Sequence, residues 1–146
     1  MVPPSRRTDG ADRPATTVLE PLSLRHQGPP TTLVLTRLGA RTLEENRLAD
    51  QCERTRGRWG FDGFSVFEVP AGDYAHLARL VPIVALRPKL YRAEGGALLD
   101  AGFPLFPTGD FPHWTVVLSE ATPAQFARVR AQFAGPLDNP AWEGTR

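Results

Sequence analysis

The chain has 146 residues, 41% of them hydrophobic and 23% charged, with a formal net charge of +1. That is the profile of one small globular domain, with no room for a second. No apolar run reaches the roughly 18 to 20 residues of a membrane span, since Leu80 to Leu86 is broken by Pro82. The polar, Pro-rich start lacks the apolar stretch of a secretory signal. A single cysteine, Cys52, excludes an intrachain disulfide framework and a Cys-rich metal cluster. A cytoplasmic protein with no membrane partner and no metal is therefore expected.

Of 17 basic residues, 16 are Arg and only Lys89 is Lys. Codon usage in a GC-rich, bacterial genome accounts for this bias, although Arg is also the better bidentate donor to carboxylates and phosphates. Residues 1–58 hold 10 Arg against 7 acids, whereas residues 59–146 hold 7 basic residues against 9 acidic ones. Neither half forms the single-sign stripe of a duplex-binding domain, so no strong duplex DNA binding is expected.

Residues 1–30 carry six prolines and few large apolar side chains. Such a segment buries too little to offset its ordering entropy, and a disordered or loosely docked arm is expected. Thr31 to Leu38 alternates Leu33, Leu35 and Arg37 against Val34, Thr36 and Leu38, the pattern of a strand. Thr42, with Glu45 three residues on, predicts the capping box of a helix over about 43–56, closed by Gly57. Asp50 and Arg54 form a favourable i,i+4 pair on it.

Phe64 to Val69 reads as a second strand, with Phe64, Val66 and Glu68 on one side and Ser65, Phe67 and Val69 on the other. Asp73 caps a short helix to about Leu80, and Ile83 to Leu86 is the third strand candidate. Glu94 to Ala101 forms a short helix closed by Gly102. Phe103 to Phe106 and His113 to Leu118 are two strands joined by the turn residues Pro107 to Pro112, an expected antiparallel hairpin. Thr122 as N-cap, Pro123 at the first helical position and Gln125 at the box position start the final helix, with Gly135-Pro136 as its stop. The fold expected is α+β: one small domain over 31–136, a mixed or mostly antiparallel sheet with helices mainly on one face, and a C-terminal tail over 137–146.

Phosphate-loop, dinucleotide-loop, HExxH, GxSxG and paired-Cys patterns are all absent. His113 is the leading candidate for chemistry. It opens a strand after Pro112, and an imidazole near its free pKa serves as acid or base at neutral pH. Arg37 shares a strand face with Leu33 and Leu35, where it either pairs with an acid such as Glu68 or clamps an anion. With Arg87 or Lys89 as further cations, His113 and Arg37 fit a metal-independent ribonuclease: His exchanges protons with the 2′-hydroxyl and the cations stabilise the pentavalent phosphate. Trp59, Phe61 and Trp114 are candidates to stack exposed bases. Cys52, flanked by acids and with no adjacent His, reads as a contact residue.

The favoured expectation is a small effector or toxin-module enzyme acting on RNA or a nucleotide without a cofactor, paired with an antitoxin protein. A non-catalytic accessory subunit, whose N-terminal arm orders on a protein partner, is the alternative. A second alternative rests on Arg37, Ser65 and Glu120, whose order is similar to the Arg, Ser and Glu of ADP-ribosyltransferase-type enzymes. That arrangement implies NAD as the bound molecule, held by Arg37, Ser65 and Glu120. Ser65, Glu68, Arg87, Lys89, Trp114 and Glu120 are the candidate substrate-binding residues. A concave pocket shared by His113 and an Arg favours an enzyme, whereas large aromatics on a flat exposed patch favour a binding module.

Overall fold

The computed structural model describes residues 30–144. Six strands form one sheet: β1 (Val34–Leu38), β2 (Asp62–Glu68), β3 (Lys89–Glu94), β4 (Leu105–Phe106), β5 (His113–Leu118) and β6 (Ala134–Asp138). Their order is β4-β5-β2-β1-β3-β6, and every neighbouring pair is antiparallel. Four helices accompany them: α1 (Glu45–Trp59), α2 (Tyr74–Leu80), α3 (Gly95–Asp100) and α4 (Pro123–Arg130). The fold is α+β, as the sequence predicts.

Strand alternation sorts the apolar side chains into two layers. On one face Leu35, Phe64, Val66, Trp114 and Val116 join Leu48 and Cys52 of α1, Leu98 of α3, and Phe126 and Val129 of α4 in the larger core. On the other, Val34, Leu38 and Phe67 meet Leu77 of α2 and Val84, with Val69, in a smaller cluster. At roughly 2 kcal/mol for each fully buried Val, Leu or Phe side chain, the larger core dominates stability.

Local chemistry sets most boundaries. Asp73 accepts hydrogen bonds from the Ala75 and His76 amides at 3.0 and 3.2 Å, and so starts α2. Thr122 accepts from the Gln125 amide at 3.2 Å, with Pro123 filling the position where no donor is needed. The α1 boundaries differ from expectation at both ends. Thr42 donates to the Gly39 carbonyl instead of capping, and Glu44 takes the N-cap position without a side-chain bond. The helix runs past Gly57, which is exposed, and stops at Gly60, whose φ of 87° is in the left-handed region glycine favours. The extension past Gly57 carries Arg58 and Trp59 to the hollow beside the sheet.

Three elements depart from the sequence reading. Ile83 to Leu86 is not a strand: Pro82 opens a 3-10 turn over Pro82–Leu86 that buries only Val84. The third strand is Lys89–Glu94, in which only Leu90 and Ala93 are buried and Lys89, Arg92 and Glu94 are exposed. The chain expected to become a tail at Leu137 instead continues β6 to Asp138, an exposed edge strand paired to β3. The expected N-terminal arm lies outside the described residues, apart from Pro30. Among the described residues, no helix is long and apolar enough to cross a membrane.

Candidate active site at His113

β5 begins where the β4–β5 connection folds back on the sheet. The Glu68 amide donates to the Pro112 carbonyl at 2.8 Å, and the His113 amide to the Asp110 carbonyl at 2.9 Å. These bonds hold both polar groups of the peptide unit that leads into His113. Its ring packs edge-on to Phe67, with centroids 5.8 Å apart.

The imidazole is held by Thr108. Nδ1 lies 2.7 Å from the Thr108 carbonyl oxygen and 3.1 Å from its hydroxyl. A carbonyl only accepts, so Nδ1 carries the proton and Nε2 is the basic nitrogen. The Thr108 hydroxyl is itself 2.6 Å from that of Thr115, on the same face of β5. Burial pushes the His113 pKa below its ordinary value; the Thr108 carbonyl acts the other way, and the nearby Arg58 charge adds to the lowering. At neutral pH the ring is an uncharged base with a fixed tautomer.

Two hollows meet at this side chain. The first, about 290 Å³, is lined by Gln51, Arg54, Thr55, Arg58, Trp59, Ser65, His113 and Thr115. Two guanidinium groups, hydroxyls and the imidazole converge there, and no carboxylate lines it. The second, about 350 Å³, is lined by Phe67, Leu80, Val81, Gly109, Asp110, Phe111 and Pro112, with Arg58, Trp59 and His113 on the wall it shares with the first. One hollow is cationic; the other is mainly apolar, with three aromatic rings and the single carboxylate of Asp110.

Arg37 stands behind this site and is not among the residues lining either hollow. It does not pair with Glu68. Its Nη1 donates to the Ser65 carbonyl at 2.7 Å and its Nε to the Thr42 carbonyl at 3.2 Å, with the guanidinium 5.1 Å from the Phe64 ring centre. Burial, and then the charge of Arg54, lower its pKa to about 10, so it remains charged at neutral pH. It ties β2 to the connection that leads into α1.

The remaining candidates lie elsewhere. Glu68 is buried and accepts from Trp114 Nε1 at 3.0 Å, so both belong to the sheet interior and Trp114 is not presented for stacking. Phe61 packs edge-on to Phe106, 5.5 Å away. Lys89 bonds Asp138 on β6, and Arg87 is exposed at the approach to β3. Glu120 is exposed beyond the far end of β5. Ser65 pairs in register with Thr115, and Glu120 lies beyond Leu118, where β5 ends; Arg37 meets the Ser65 backbone, but Glu120 does not line a hollow with either. Ser65 alone of the substrate-binding candidates lines a hollow with His113. Cys52 is buried, and burial raises its pKa.

Arg54 and Arg58 line the hollow beside His113 and are the candidate site residues that sequence reasoning missed. Basic residues in the last turn of a helix are explained by the macrodipole alone; the signal that distinguishes these two is their shared helix face with Gln51. The Asp50–Arg54 pair expected from spacing is not formed among the described residues, where the ion pairs are Arg41–Glu44, Arg56–Asp62 and Lys89–Asp138. No protein-family model matches the chain, and comparison with curated proteins and with solved structures finds no match.

Proposed function

We propose that the protein is a metal-independent ribonuclease that cleaves RNA by transesterification at His113. The observation that carries this reading is the convergence of a neutral, tautomer-fixed imidazole and two arginines on a hollow without a carboxylate. Such a surface favours a phosphodiester anion. The adjoining aromatic hollow accommodates an unstacked base.

His113 Nε2 accepts the 2′-hydroxyl proton as the 2′-oxygen bonds to phosphorus. The bond from phosphorus to the 5′-oxygen breaks, that oxygen takes a proton from water at the open mouth, and the proton held on His113 passes to the hydroxide left behind, restoring the neutral base. Arg54 and Arg58 stabilise the added negative charge on the pentavalent phosphate. Arg37 acts from behind, orienting Ser65 and the start of α1. The products are a 2′,3′-cyclic phosphate and a 5′-hydroxyl.

The test is product analysis after incubating the protein with a diribonucleotide in EDTA. A cyclic phosphate that disappears with His113→Ala supports the reading. No product from the wild type, or equal product from the variant, overturns it. If the enzyme belongs to a toxin module, its expression arrests growth and His113→Ala relieves the arrest.

A specific observation also favours the accessory-subunit reading. A groove of about 690 Å³ between α2, the Pro82–Leu86 turn and Pro140 to Glu143 is bordered by Leu86, which is 64% exposed, and lies near exposed Leu80 and Ile83. Exposed apolar surface of this kind fits a protein contact. That reading predicts a stable complex that survives His113→Ala and is lost with Leu86→Ser.

A further inference from the structure

Helix α1 brings more than Arg54 and Arg58 to the site. At 100° per residue, Arg47, Gln51, Arg54 and Arg58 fall within one narrow stripe, beside the buried stripe of Leu48, Cys52 and Thr55. Arg47, Arg54 and Arg58 are exposed, and none of the three forms an ion pair among the described residues. Asp50 is the acid nearest the stripe in helical position, and Glu44 stands at its N-terminal end, where its carboxylate feels the charge of Arg47. The stripe rises about 16 Å from Arg47 to Arg58 at 1.5 Å per residue, and its Arg58 end is the wall of both hollows.

We infer that this stripe is a track for the backbone of single-stranded RNA, leading the strand along α1 to the cleavage point at His113. The inference rests on the ribonuclease reading and narrows it from any nucleotide to a polynucleotide. A stacked strand rises about 3.4 Å per nucleotide, so the track spans about five nucleotides. A single row of cations fits one backbone, and the aromatic hollow at its end takes a base only from an unpaired strand. A net charge of +1 is not the marked basic excess that a duplex-binding domain carries.

The test compares a diribonucleotide with an eight-nucleotide single-stranded RNA, using wild type, Arg47→Ala, Arg47→Lys and His113→Ala. The track predicts that the octamer-to-dinucleotide ratio of kcat/KM falls about fivefold in Arg47→Ala and largely recovers in Arg47→Lys. It also predicts that the slope of log affinity against log salt for the octamer becomes shallower by about 0.7, the value of one lost phosphate contact on a single strand. An unchanged ratio and slope in Arg47→Ala, with cleavage of both RNAs still dependent on His113, overturns the track and leaves the ribonuclease standing. Equal cleavage of the octamer paired to its complement overturns the single-strand assignment. A wild type that cleaves neither RNA removes the ribonuclease reading and the track with it.

Discussion

Two concave regions of this molecule are built on opposite principles. At the start of β5, polar groups are held by short bonds: Thr108 fixes the His113 ring, Thr115 fixes Thr108, and Arg37 grips two carbonyls behind Ser65. Between α2 and Pro140 to Glu143, the groove is larger but lined mainly by alanines, prolines and Leu86, with Arg79 and Glu143 its charged members. Volume does not mark the place proposed for chemistry. Preorganised donors and a constrained base do, because catalysis depends on groups already aimed where charge develops.

That contrast is broken most directly at His113. His113→Ala is expected to lower kcat/KM on RNA by about 10²- to 10⁴-fold, the usual contribution of a general base, measured by initial rates on a dinucleotide. The same protein keeps its thermal transition within a few degrees if the side chain serves chemistry more than packing.

Gly63→Ala is next. A Cβ at Gly63 meets the Val116 carbonyl oxygen at 2.5 Å and the Thr115 methyl at 2.8 Å. The backbone must shift where β2 and β5 pair. Overpacking of this kind costs about 2 kcal/mol, or roughly an 8 °C fall in Tm for a domain of this size, read by calorimetry. Arg58→Ala is expected to raise KM about tenfold, the worth of one charge-assisted bond to phosphate, while Arg58→Lys retains part of the affinity.

The pH dependence of stability gives a smaller signal. The folded pKa of His113 lies below its unfolded value, so below the unfolded pKa the unfolded chain binds the extra proton. Stability therefore falls as pH drops from the unfolded pKa toward the folded one, and is unaffected by this group above both. Denaturant titrations between pH 7 and pH 5 should show this loss, and His113→Gln should reduce it. Smallest of all, Leu86→Ser should change stability by less than about 0.5 kcal/mol and leave RNA cleavage intact, because the groove takes no part in the chemistry.

The elements legible in the sequence are those with their own punctuation. Asp73 and Thr122–Pro123 cap α2 and α4 as read, and His113 to Leu118 is a strand with the residues expected. β3 was hidden because Lys89, Arg92 and Glu94 are polar and only Leu90 and Ala93 are buried. β6 was hidden because an exposed edge strand has no burial pattern, and Gly135-Pro136 reads as a stop. Ile83 to Leu86 looked like a strand because a short apolar run carries no period of its own. In the site, His113 was visible from its position after Pro112. Arg54 and Arg58 were masked by an adequate helical explanation, and the place of Arg58 beside Ser65 depends on α1 running beyond Gly57.

The central claim is that His113 works as a neutral base with its proton on Nδ1. Nitrogen NMR of the His113 ring, titrated beside the pH dependence of kcat/KM on a diribonucleotide, tests it most directly. The account predicts an Nδ1-protonated ring whose midpoint lies below the ordinary histidine value and coincides with the rising limb of the rate in the free enzyme. A ring protonated on Nε2, or a rate profile without that limb, would contradict it.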